Sequence, residues 1–368
     1  MADIQHGRRR RIGSLLLACL FGASLHAQLR KPVAVRGTYS NPKPFWDKGA
    51  RLDEYGVNAI FVGAGSIHSA LVRRAASEGA KVYAEFPTLN GKDYVEKHPE
   101  AWPINERGEP VSAATWFLGA CPTEAGFKAY RLKQLADLLE NHDIGGVWMD
   151  YFHWHAQFED PSPILPETCF SRTCIAGFES ATGIRVPAGT TAEKARWILR
   201  NVDREWRDWR CSVLVEWARD VRRIIREKRP DALLGVYHCP WTDEEFQGAR
   251  RRILGLDFDR LAEVVDVFSP MVYHRRMGRP PDWVGAYISW FSKRLNIQPD
   301  RVPKVWPIVQ AHHDPGVIPA DEFEKVLTFG VSAEATGIMM FTIGSVAEDD
   351  AKMAVLKRLY LEWSGEGD

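Results

Sequence analysis

The sequence predicts a (β/α)8 barrel, the TIM-barrel fold, with a long insertion after the fourth strand. Short apolar segments that are typical of buried strands alternate with longer helical patterns, and eight such pairs follow one another along the chain. Strands and helices that alternate at this spacing favour a parallel sheet, and eight units close into a barrel. The predicted strand ends are polar, aromatic or acidic, while the strand starts are apolar or turn-like. This asymmetry supports the same fold, because a barrel gathers its chemistry at the carboxyl ends of its strands.

The composition fits one large globular domain, which we place at residues 30–365. The chain has 368 residues, of which 45% are hydrophobic. Its 48 basic side chains balance its 48 acidic ones, so we expect no long-range attraction to nucleic acid or to a membrane surface.

Residues 1–27 are predicted to be a signal peptide. Four arginines at 8–11 precede an apolar, small-residue run at 12–25, and Ala27 is a suitable last residue before cleavage. The run is too short and too interrupted to span a membrane. Residues 16–19 (LLAC) resemble a lipobox, so a lipoprotein is an alternative, and the arginines leave a twin-arginine route open. We expect the mature protein to be exported, either to the periplasm or out of the cell.

The first half of the chain contains four predicted strands, each an apolar run that stops at a polar or turn residue. These strands cover residues 31–40, 56–62, 80–86 and 147–150. The helices between them are predicted from helical apolar patterns, and the last one begins at the N-cap residue Thr123. These helices cover residues 45–55, 68–77 and 123–140.

Residues 151–190 lack a strong period and are predicted to be a loop insertion, a length of irregular chain that is usually functional in a compact domain. Thr191 then caps a long helical region that Pro230 closes, and we expect its tryptophans to pack in the core. Four more strands follow, at residues 233–238, 264–273, 302–310 and 337–343. The helical patterns between and after them cover residues 258–263, 283–295, 319–328 and 348–363.

The strongest candidate for chemistry is Asp150, at the carboxyl end of the fourth predicted strand. Residues 144–155 read IGGVWMDYFHWH, so aromatic and imidazole side chains follow the acid directly. A carboxylate can stabilise the positive charge that develops on a sugar ring, and aromatic faces stack on the C–H groups of sugars. A structural acid that caps a loop or pairs with an arginine is the alternative. We favour catalysis because strand-end acids in barrels usually face the mouth.

A sugar-cleaving site needs a second carboxyl group, and the loop after the fifth strand supplies three candidates. Asp243, Glu244 and Glu245 lie there, next to the loop that follows Asp150. Each is a candidate proton donor, although Asp243 as the N-cap of a short helix, with two acids in its first turn, is an equally good interpretation. Glu85, from the third strand, is the reserve donor or a residue that binds sugar hydroxyls.

The other polar and aromatic residues at the predicted strand ends are candidate substrate-binding residues. Imidazoles can hydrogen-bond to sugar hydroxyls, and Trp154, Trp241 and Tyr273 stand where a stacking platform would be, with plain packing as the alternative. The candidates are Tyr39, Glu85, His153, Trp154, His155, His238, Trp241, Tyr273, His274, Gln310 and His312.

We predict neither a metal nor any other cofactor. His153 and His155 have the H-x-H form of some zinc sites, but amidohydrolase-type barrels carry that motif on the first strand, which lacks it here. Five cysteines follow the signal peptide, an odd number that leaves at least one thiol without a partner in the chain. Cys169 and Cys174 are the expected disulfide in an oxidising compartment, and their spacing alone is a weak metal signal.

Three motifs resemble those of glycoside hydrolases related to the α-amylase superfamily. GGVWMDYFHWH is similar to that group's fourth-strand signature, residues 98–110 and 120–122 resemble the approach to it, and DVFSPMVYH (residues 266–274) resembles the sixth-strand motif. The resemblance implies a (β/α)8 barrel with Asp150 at the position of the catalytic nucleophile. That group has a glutamate at the end of the fifth strand, whereas this chain has His238 there, with acids five to seven residues later.

From these observations we predict an exported glycoside hydrolase that cleaves a poly- or oligosaccharide without a cofactor. Asp150 would act as nucleophile or charge stabiliser, and Glu244 or a neighbouring acid as the acid/base. A barrel that binds glycans without cleaving them is the main alternative, favoured by the missing acid at the end of the fifth strand. A metal-dependent hydrolase or deacetylase that uses the histidines is a further one.

Overall fold

The computed structural model describes residues 33–114 and 117–365, and its centre is a closed barrel of parallel strands. Going round the barrel, the strands follow one another in the order 5-4-3-2-1-9-8-6, and the sixth pairs with the fifth to close the circle. The strand segments are β1 Val35–Tyr39, β2 Ala59–Gly63, β3 Lys81–Pro87, β4 Gly146–Asp150, β5 Leu233–His238, β6 Val267–Val272, β7 Lys304–Val305, β8 Ile308–Gln310 and β9 Gly337–Phe341.

Two of these segments form one barrel strand. Trp306 and Pro307 separate β7 from β8, and both segments pair with β6 in parallel. The barrel therefore has eight strand positions, and the predicted (β/α)8 fold is confirmed.

Helices flank the barrel, and three short 3-10 turns lie at Asp53–Tyr55, Ala64–Ser66 and Pro99–Ala101. The helices are α1 Lys43–Asp47, α2 Ser69–Ser77, α3 Lys92–Val95, α4 Ala125–Asn141, α5 Arg172–Thr182, α6 Thr191–Asn201, α7 Asp203–Lys228, α8 Glu245–Arg252, α9 Phe258–Ala262, α10 Trp283–Arg294, α11 Ala320–Gly330, α12 Ile343–Ala347 and α13 Asp350–Ser364.

Some helix boundaries differ from the prediction. The long helix expected after residue 190 is divided into α6 and α7, because Val202 leaves the helical region with φ −142° and ψ 33°. The cap of α6 is Thr190, whose hydroxyl accepts from the Glu193 N–H in a capping box. For α4 the cap is Glu124 in place of Thr123, because its carboxylate accepts two backbone N–H groups of the first turn. The region 45–55 holds a short helix and a 3-10 turn.

The segment between β4 and α6 contains a helix that the sequence pattern did not reveal. α5 begins after the N-cap Ser171 and ends at Gly183, which has φ 74°. Residues 151–171 before it are a loop that contacts other loops at the carboxyl face, since the Trp154 N–H donates to the Leu254 carbonyl and a β-bridge joins Asn105 to Thr168.

The predictions on export and on the disulfide have different outcomes. The signal peptide at residues 1–27 lies outside the described residues. Within the described part of the chain, no helix is long and apolar enough to cross a membrane. The predicted Cys169–Cys174 disulfide is wrong, because both residues carry free, buried thiols that gather with a third sulfur, that of Cys121.

The barrel interior is filled by aromatic rings from different strands. Trp148 on β4 lies 4.9 Å from Phe61, 5.0 Å from Tyr83 and 5.5 Å from Trp306, measured between ring centroids. Its indole N–H donates to the Ser269 hydroxyl across the barrel at 2.9 Å. The lower barrel is therefore a packed core and not a channel.

The strand beside Trp148 needs a glycine at one position. Gly235 on β5 is in register with Trp148, and a Cβ atom on Gly235 would stand 2.1 Å from the indole ring. Because side chains alternate along a strand, the next inward residue on β5 is Tyr237, and His238 points out of the barrel.

We expect Gly235→Ala to destabilise the protein by about 1–3 kcal/mol or more, because the added methyl group overlaps a ring that the surrounding rings hold in place. Urea unfolding of the purified variant measures this loss. Gly65→Ala is the matched control, since an added Cβ at Gly65 meets nothing within 4 Å. Its free energy of unfolding should stay within about 0.5 kcal/mol of the original chain. Equal stabilities of the two variants would contradict this account of the core.

Candidate active site

The carboxyl ends of the strands place a ring of polar and aromatic side chains above the aromatic core. Glu85 follows Tyr83 by two residues, as Asp150 follows Trp148, so both acids point inward from adjacent strands. Tyrosines from three other strands surround them, and the electrostatic influence of the acids reaches all three phenol groups. These tyrosines are Tyr39, Tyr237 and Tyr273.

Asp150 and Glu85 form a carboxyl pair in which each group shifts the pKa of the other. The Tyr39 hydroxyl is near enough to Glu85 to lower the pKa of its carboxyl group. The carboxylate of Asp150 accepts a backbone hydrogen bond of 2.8 Å from the Tyr151 N–H. Two carboxyl groups that share one site resist carrying two negative charges, so the pair is suited to hold one proton and one negative charge.

The surroundings favour protonation of this pair. Burial raises the pKa of Asp150 well above its ordinary value, and the charge of Glu85 raises it further. Burial likewise raises the pKa of Glu85. Because the groups interact strongly, they titrate together in two steps that belong to the pair. Burial and both acids raise the pKa of Tyr39, which therefore stays a neutral phenol that can donate to Glu85.

A left-handed residue turns the chain away from the strand directly after Asp150. Tyr151 has φ 50°, a conformation that costs a non-glycine residue on the order of 1–3 kcal/mol. Its ring stacks on Phe117 with centroids 5.2 Å apart and an angle of 11° between the planes. This stack joins the loop after β3 to the loop after β4, and backbone strain of this kind clusters at functional sites.

A cavity of about 180 Å³ opens above Asp150. Its walls combine three aromatic rings with three acids, and His153, Met271 and Arg276 also line it. The rings are those of Phe117, Tyr151 and Phe158, and the acids are Asp150, Glu159 and Asp160. A concave site with apolar walls and a few polar groups is typical of a ligand pocket.

Glu159 is the second half-buried acid of the cavity. Burial raises its pKa, while the positive charge of Arg276 opposes the shift. Arg276 donates to the Glu159 carbonyl at 3.2 Å, and its guanidinium lies 3.5 Å from the Glu159 carboxylate. The negative charge of Glu159 also raises the pKa of Asp150, so the two acids interact through the cavity they share.

The two predicted residues that line the cavity are Asp150 and His153. Burial lowers the pKa of His153 to about 4, so this imidazole is neutral near pH 7. Its Nδ1 lies 2.8 Å from the Trp154 carbonyl. Glu85 is the other member of the acid pair, and Tyr39 and Tyr273 lie near enough to interact with Asp150 electrostatically.

The three acids after β5 lie elsewhere. Asp243 forms ion pairs with Arg250 and, at 2.7 Å, with Arg294. Glu245 accepts from the Thr242 N–H at 2.7 Å and pairs with Arg279 at 2.5 Å. Glu244 is exposed at the start of α8. The hydrogen bonds and ion pairs of Asp243 and Glu245 thus hold the loop between β5 and α8 in place.

The remaining predicted substrate-binding residues are engaged in packing or in loop hydrogen bonds. The His155 Nδ1 accepts from the Gly119 N–H at 3.1 Å, and the His274 imidazole pairs with Glu322 at 2.9 Å. The amide oxygen of Gln310 accepts from the N–H groups of both Arg275 and Arg276, each at 3.1 Å. The others are buried or half-buried among rings, namely Trp154, His238, Trp241 and His312.

Five residues near the acid pair were not among the predicted site residues, and they are Phe117, Tyr151, Glu159, Tyr237 and Arg276. Strand alternation from Gly235 is the signal that could have located Tyr237. Tyr151 follows Asp150 directly, and its aromatic side chain was a visible signal. For Glu159 and Arg276 the sequence carries no comparable signal, because tertiary contacts set the paths of their loops.

No protein-family model matches the sequence, and no curated protein matches it either. Solved structures do match the fold. The glycoside hydrolase domain of PgaB (BpsB) from Bordetella bronchiseptica has a TM-score of 0.63 and 13% identity, over 87% of this chain and 98% of that one.

Two β-galactosidases match as well. The enzyme from the haloarchaeon Halorubrum lacusprofundi has a TM-score of 0.64 and 12% identity, over 90% of this chain and 58% of that one. The enzyme from the psychrophile Marinomonas ef1 has a TM-score of 0.61 and 13% identity, over 84% and 54%. This chain thus spans little more than half of either galactosidase. At such identities the similarity establishes a shared barrel fold.

The raised pKa values of the acid pair predict that Asp150→Asn stabilises the protein at neutral pH. A carboxyl group whose pKa is raised in the folded state contributes stability below its unfolded pKa, near 4, and loses that contribution as the pH rises. We therefore expect a gain of about 1.4 kcal/mol per unit of raised pKa at pH 7–8, which vanishes near pH 4.

Thermal unfolding of Asp150→Asn from pH 4 to 8 measures this effect. The exposed Asp160→Asn is the matched control, and it should show no gain that grows with pH. A loss of stability in Asp150→Asn that is the same at every pH would contradict the assigned electrostatics.

Proposed function

We propose that the protein is an exported glycoside hydrolase that cleaves glycosidic bonds in a poly- or oligosaccharide, with Asp150 and Glu159 as its carboxylates and without a cofactor. One observation carries this proposal. Asp150 lies at the base of an aromatic-walled cavity on the carboxyl face of a (β/α)8 barrel, and a second half-buried acid lines the same cavity. Two carboxyl groups beside one sugar-sized space are the requirement for glycoside hydrolysis.

Asp150 is assigned the role of nucleophile or charge stabiliser. For this role it must carry negative charge towards the cavity, where positive charge develops on the sugar ring. In this role the shared proton moves to Glu85, which then donates a hydrogen bond to Asp150. Glu85 is 9% exposed and does not line the cavity, so a neutral Glu85 leaves the negative charge on the acid that faces the sugar.

Glu159 is assigned the role of proton donor to the leaving group. Burial raises its pKa, which favours the protonated form that a general acid needs. Asp243, Glu244 and Glu245 suit this role less well, because ion pairs to arginines hold Asp243 and Glu245, and Glu244 is exposed. Arg276 beside Glu159 stabilises the carboxylate that remains after the proton has left.

The shape of the cavity and the matching structures both support a carbohydrate substrate. Aromatic faces of Phe117, Tyr151 and Phe158 can stack on the C–H groups of sugars, while Asp150, Glu159 and Arg276 can bind hydroxyls. The matching structures include a glycoside hydrolase domain and two β-galactosidases. Export is supported by the charged and apolar pattern of residues 1–27.

A glycan-binding barrel without catalysis is the second candidate. The observation that favours it is the inward residue at the end of β5, which is Tyr237 and not a carboxylic acid. This candidate and the hydrolase agree on the ligand and differ in whether reducing ends are released from it.

Asp150→Asn and Glu159→Gln should each lower hydrolysis by at least about 100-fold, because general acid catalysis and charge stabilisation contribute that much or more. A panel of polysaccharides and chromogenic glycosides, scored for released reducing ends or dye, measures the activity. Asp160→Asn, on the rim of the same cavity, should stay within about 10-fold of the original chain.

If the original chain binds glycans but releases no product, the second candidate, a glycan-binding barrel, is the function. Full activity in Asp150→Asn would remove the assignment of this residue. Full activity in Glu159→Gln would show that Glu159 is not the proton donor, and the acids after β5 would again be the candidates.

Glu85→Gln should keep most of the activity but change its pH profile. Glutamine imitates a protonated glutamate and can still donate a hydrogen bond to Asp150. The original pair titrates in two steps, so the variant should lose the step at higher pH, which reflects loss of the second proton. The pH dependence of kcat/KM measures this change. A loss of activity as large as that of Asp150→Asn would show that Glu85 works as an anion.

A further inference from the structure

Three buried cysteines meet outside the cavity, next to the start of α5. Cys121 comes from the loop between β3 and α4, Cys169 from the end of the loop after β4, and Cys174 from the first turn of α5. Their sulfur atoms all lie within 4.8 Å of one another. The Sγ of Cys121 is 3.4 Å from that of Cys174 and 3.7 Å from that of Cys169. The proposed reaction on a sugar has no use for this group.

The sulfur spacing corresponds to a metal thiolate site. Zinc binds thiolates at about 2.3 Å, so the edges of a tetrahedron of sulfurs around it are about 3.8 Å long. The two measured distances from Cys121 are close to that edge. A disulfide would join two of the sulfurs at about 2.05 Å and leave the third aside, whereas here one sulfur has two near neighbours.

Hydrogen-bonding groups surround the sulfurs. The Ile104 N–H donates to the Cys169 Sγ at 3.3 Å. The Thr123 hydroxyl lies 3.3 Å from the Cys121 sulfur and 3.1 Å from the Cys174 sulfur, and the Ser171 hydroxyl lies 3.5 Å from Cys121. Hydrogen bonds of this kind orient and stabilise the ligands of a metal. The positive end of the eleven-residue α5 also favours a negative charge on the sulfur of Cys174.

The charge around the three sulfurs and the access to them from the surface also suit a metal ion. Three thiolates and one divalent cation leave a net charge of −1, and the fully buried guanidinium of Arg210 is near enough to interact with Cys174 electrostatically. Thr123 is half-buried and Thr173 is exposed, and their hydroxyls are 3.3 Å apart over the sulfurs. A small ion can therefore enter from the surface by displacing flexible side chains.

We propose that Cys121, Cys169 and Cys174 bind one Zn²⁺ ion as thiolates. A water molecule held by the hydroxyls of Thr123, Ser171 and Thr173 completes the tetrahedron. The three thiols release their three protons when the ion binds. Among the described residues, these cysteines are the one group of three metal-ligating side chains that converge, so the histidines do not compete for the ion.

The position of this site gives it a structural role. Cys121 follows Phe117 in its loop, and Phe117 stacks on Tyr151 at 5.2 Å and on His155 at 5.1 Å. Zinc bound by Cys121 and Cys169 therefore ties together the two loops whose rings form a wall of the cavity. The ion holds the loop that carries Glu159 without taking part in the chemistry.

The test uses Zn²⁺ alone, added to the reduced, metal-free chain in competition with a chromophoric chelator. We expect one equivalent per chain, and a melting temperature that rises with the bound ion. Cys174→Ser should weaken the affinity at least about 100-fold, as expected for the loss of a thiolate ligand. Cys211→Ser and Cys239→Ser remove buried thiols away from the group and should bind zinc as the original chain does.

Two further measurements keep the test decisive if Cys174→Ser fails to fold. Co²⁺ bound to the original chain should show the intense near-ultraviolet absorption of thiolate coordination. Ser171→Cys should raise the zinc affinity at least about 10-fold, because a fourth sulfur replaces the hydroxyl beside Cys121.

Three results would overturn the proposal, and each is independent of hydrolase activity. The first is that the original chain takes up no zinc, and the second is that Cys174→Ser leaves zinc uptake unchanged. The third is that the chain purified without reductant has an intact mass two hydrogens lower than expected, with Cys121 in a disulfide.

Discussion

The site depends on the fit of Trp148 against Gly235 inside the barrel. The indole fills the space that a side chain on β5 would occupy, and this contact holds β4 and β5 in one register. Side chains alternate along each strand, so the register also determines which residues reach the mouth. It brings Asp150 and Tyr237 inward and turns His238 out towards Phe258 and Phe291. A shift by one residue would exchange these faces and remove the acid from the cavity.

The aromatic core beneath the site determines the electrostatics above it. Rings of Phe61, Tyr83, Trp148 and Trp306 exclude water from the base of the mouth, so two carboxyl groups placed on top of them are poorly solvated. Neutral donors, the Tyr39 hydroxyl and the Tyr151 N–H, compensate in part. The pair is therefore costly for stability, and a large barrel can tolerate that cost because the rest of its core is well packed. Strain and shifted pKa values concentrated at one place are typical of a functional site.

The barrel was predictable because each strand is a local pattern, an apolar run closed by a turn or polar residue. Asp150, Glu85 and Tyr39 could be located in the same way, since each stands at a strand end. The prediction for β5 chose His238 because it took the last residue of the strand, whereas alternation selects Tyr237 once Gly235 is known to face the indole of Trp148. Asp243 looked like a catalytic candidate because the arginines that neutralise it, Arg250 and Arg294, come from helices after it in sequence.

Glu159, the proposed second acid, could not be located from the sequence. It reaches the cavity because Arg276, 117 residues further on, bonds to its backbone, and Gln310 in turn fixes the loop of Arg276. Asp150 sits on a strand packed on both sides, whereas Glu159 sits on a loop held by a few contacts. The separation of the two acids, which decides between retention and inversion in a glycoside hydrolase, therefore depends on everything that orders this loop. The Phe117–Tyr151 stack and the three cysteines also lie in the loops at this face of the barrel, and not on its strands.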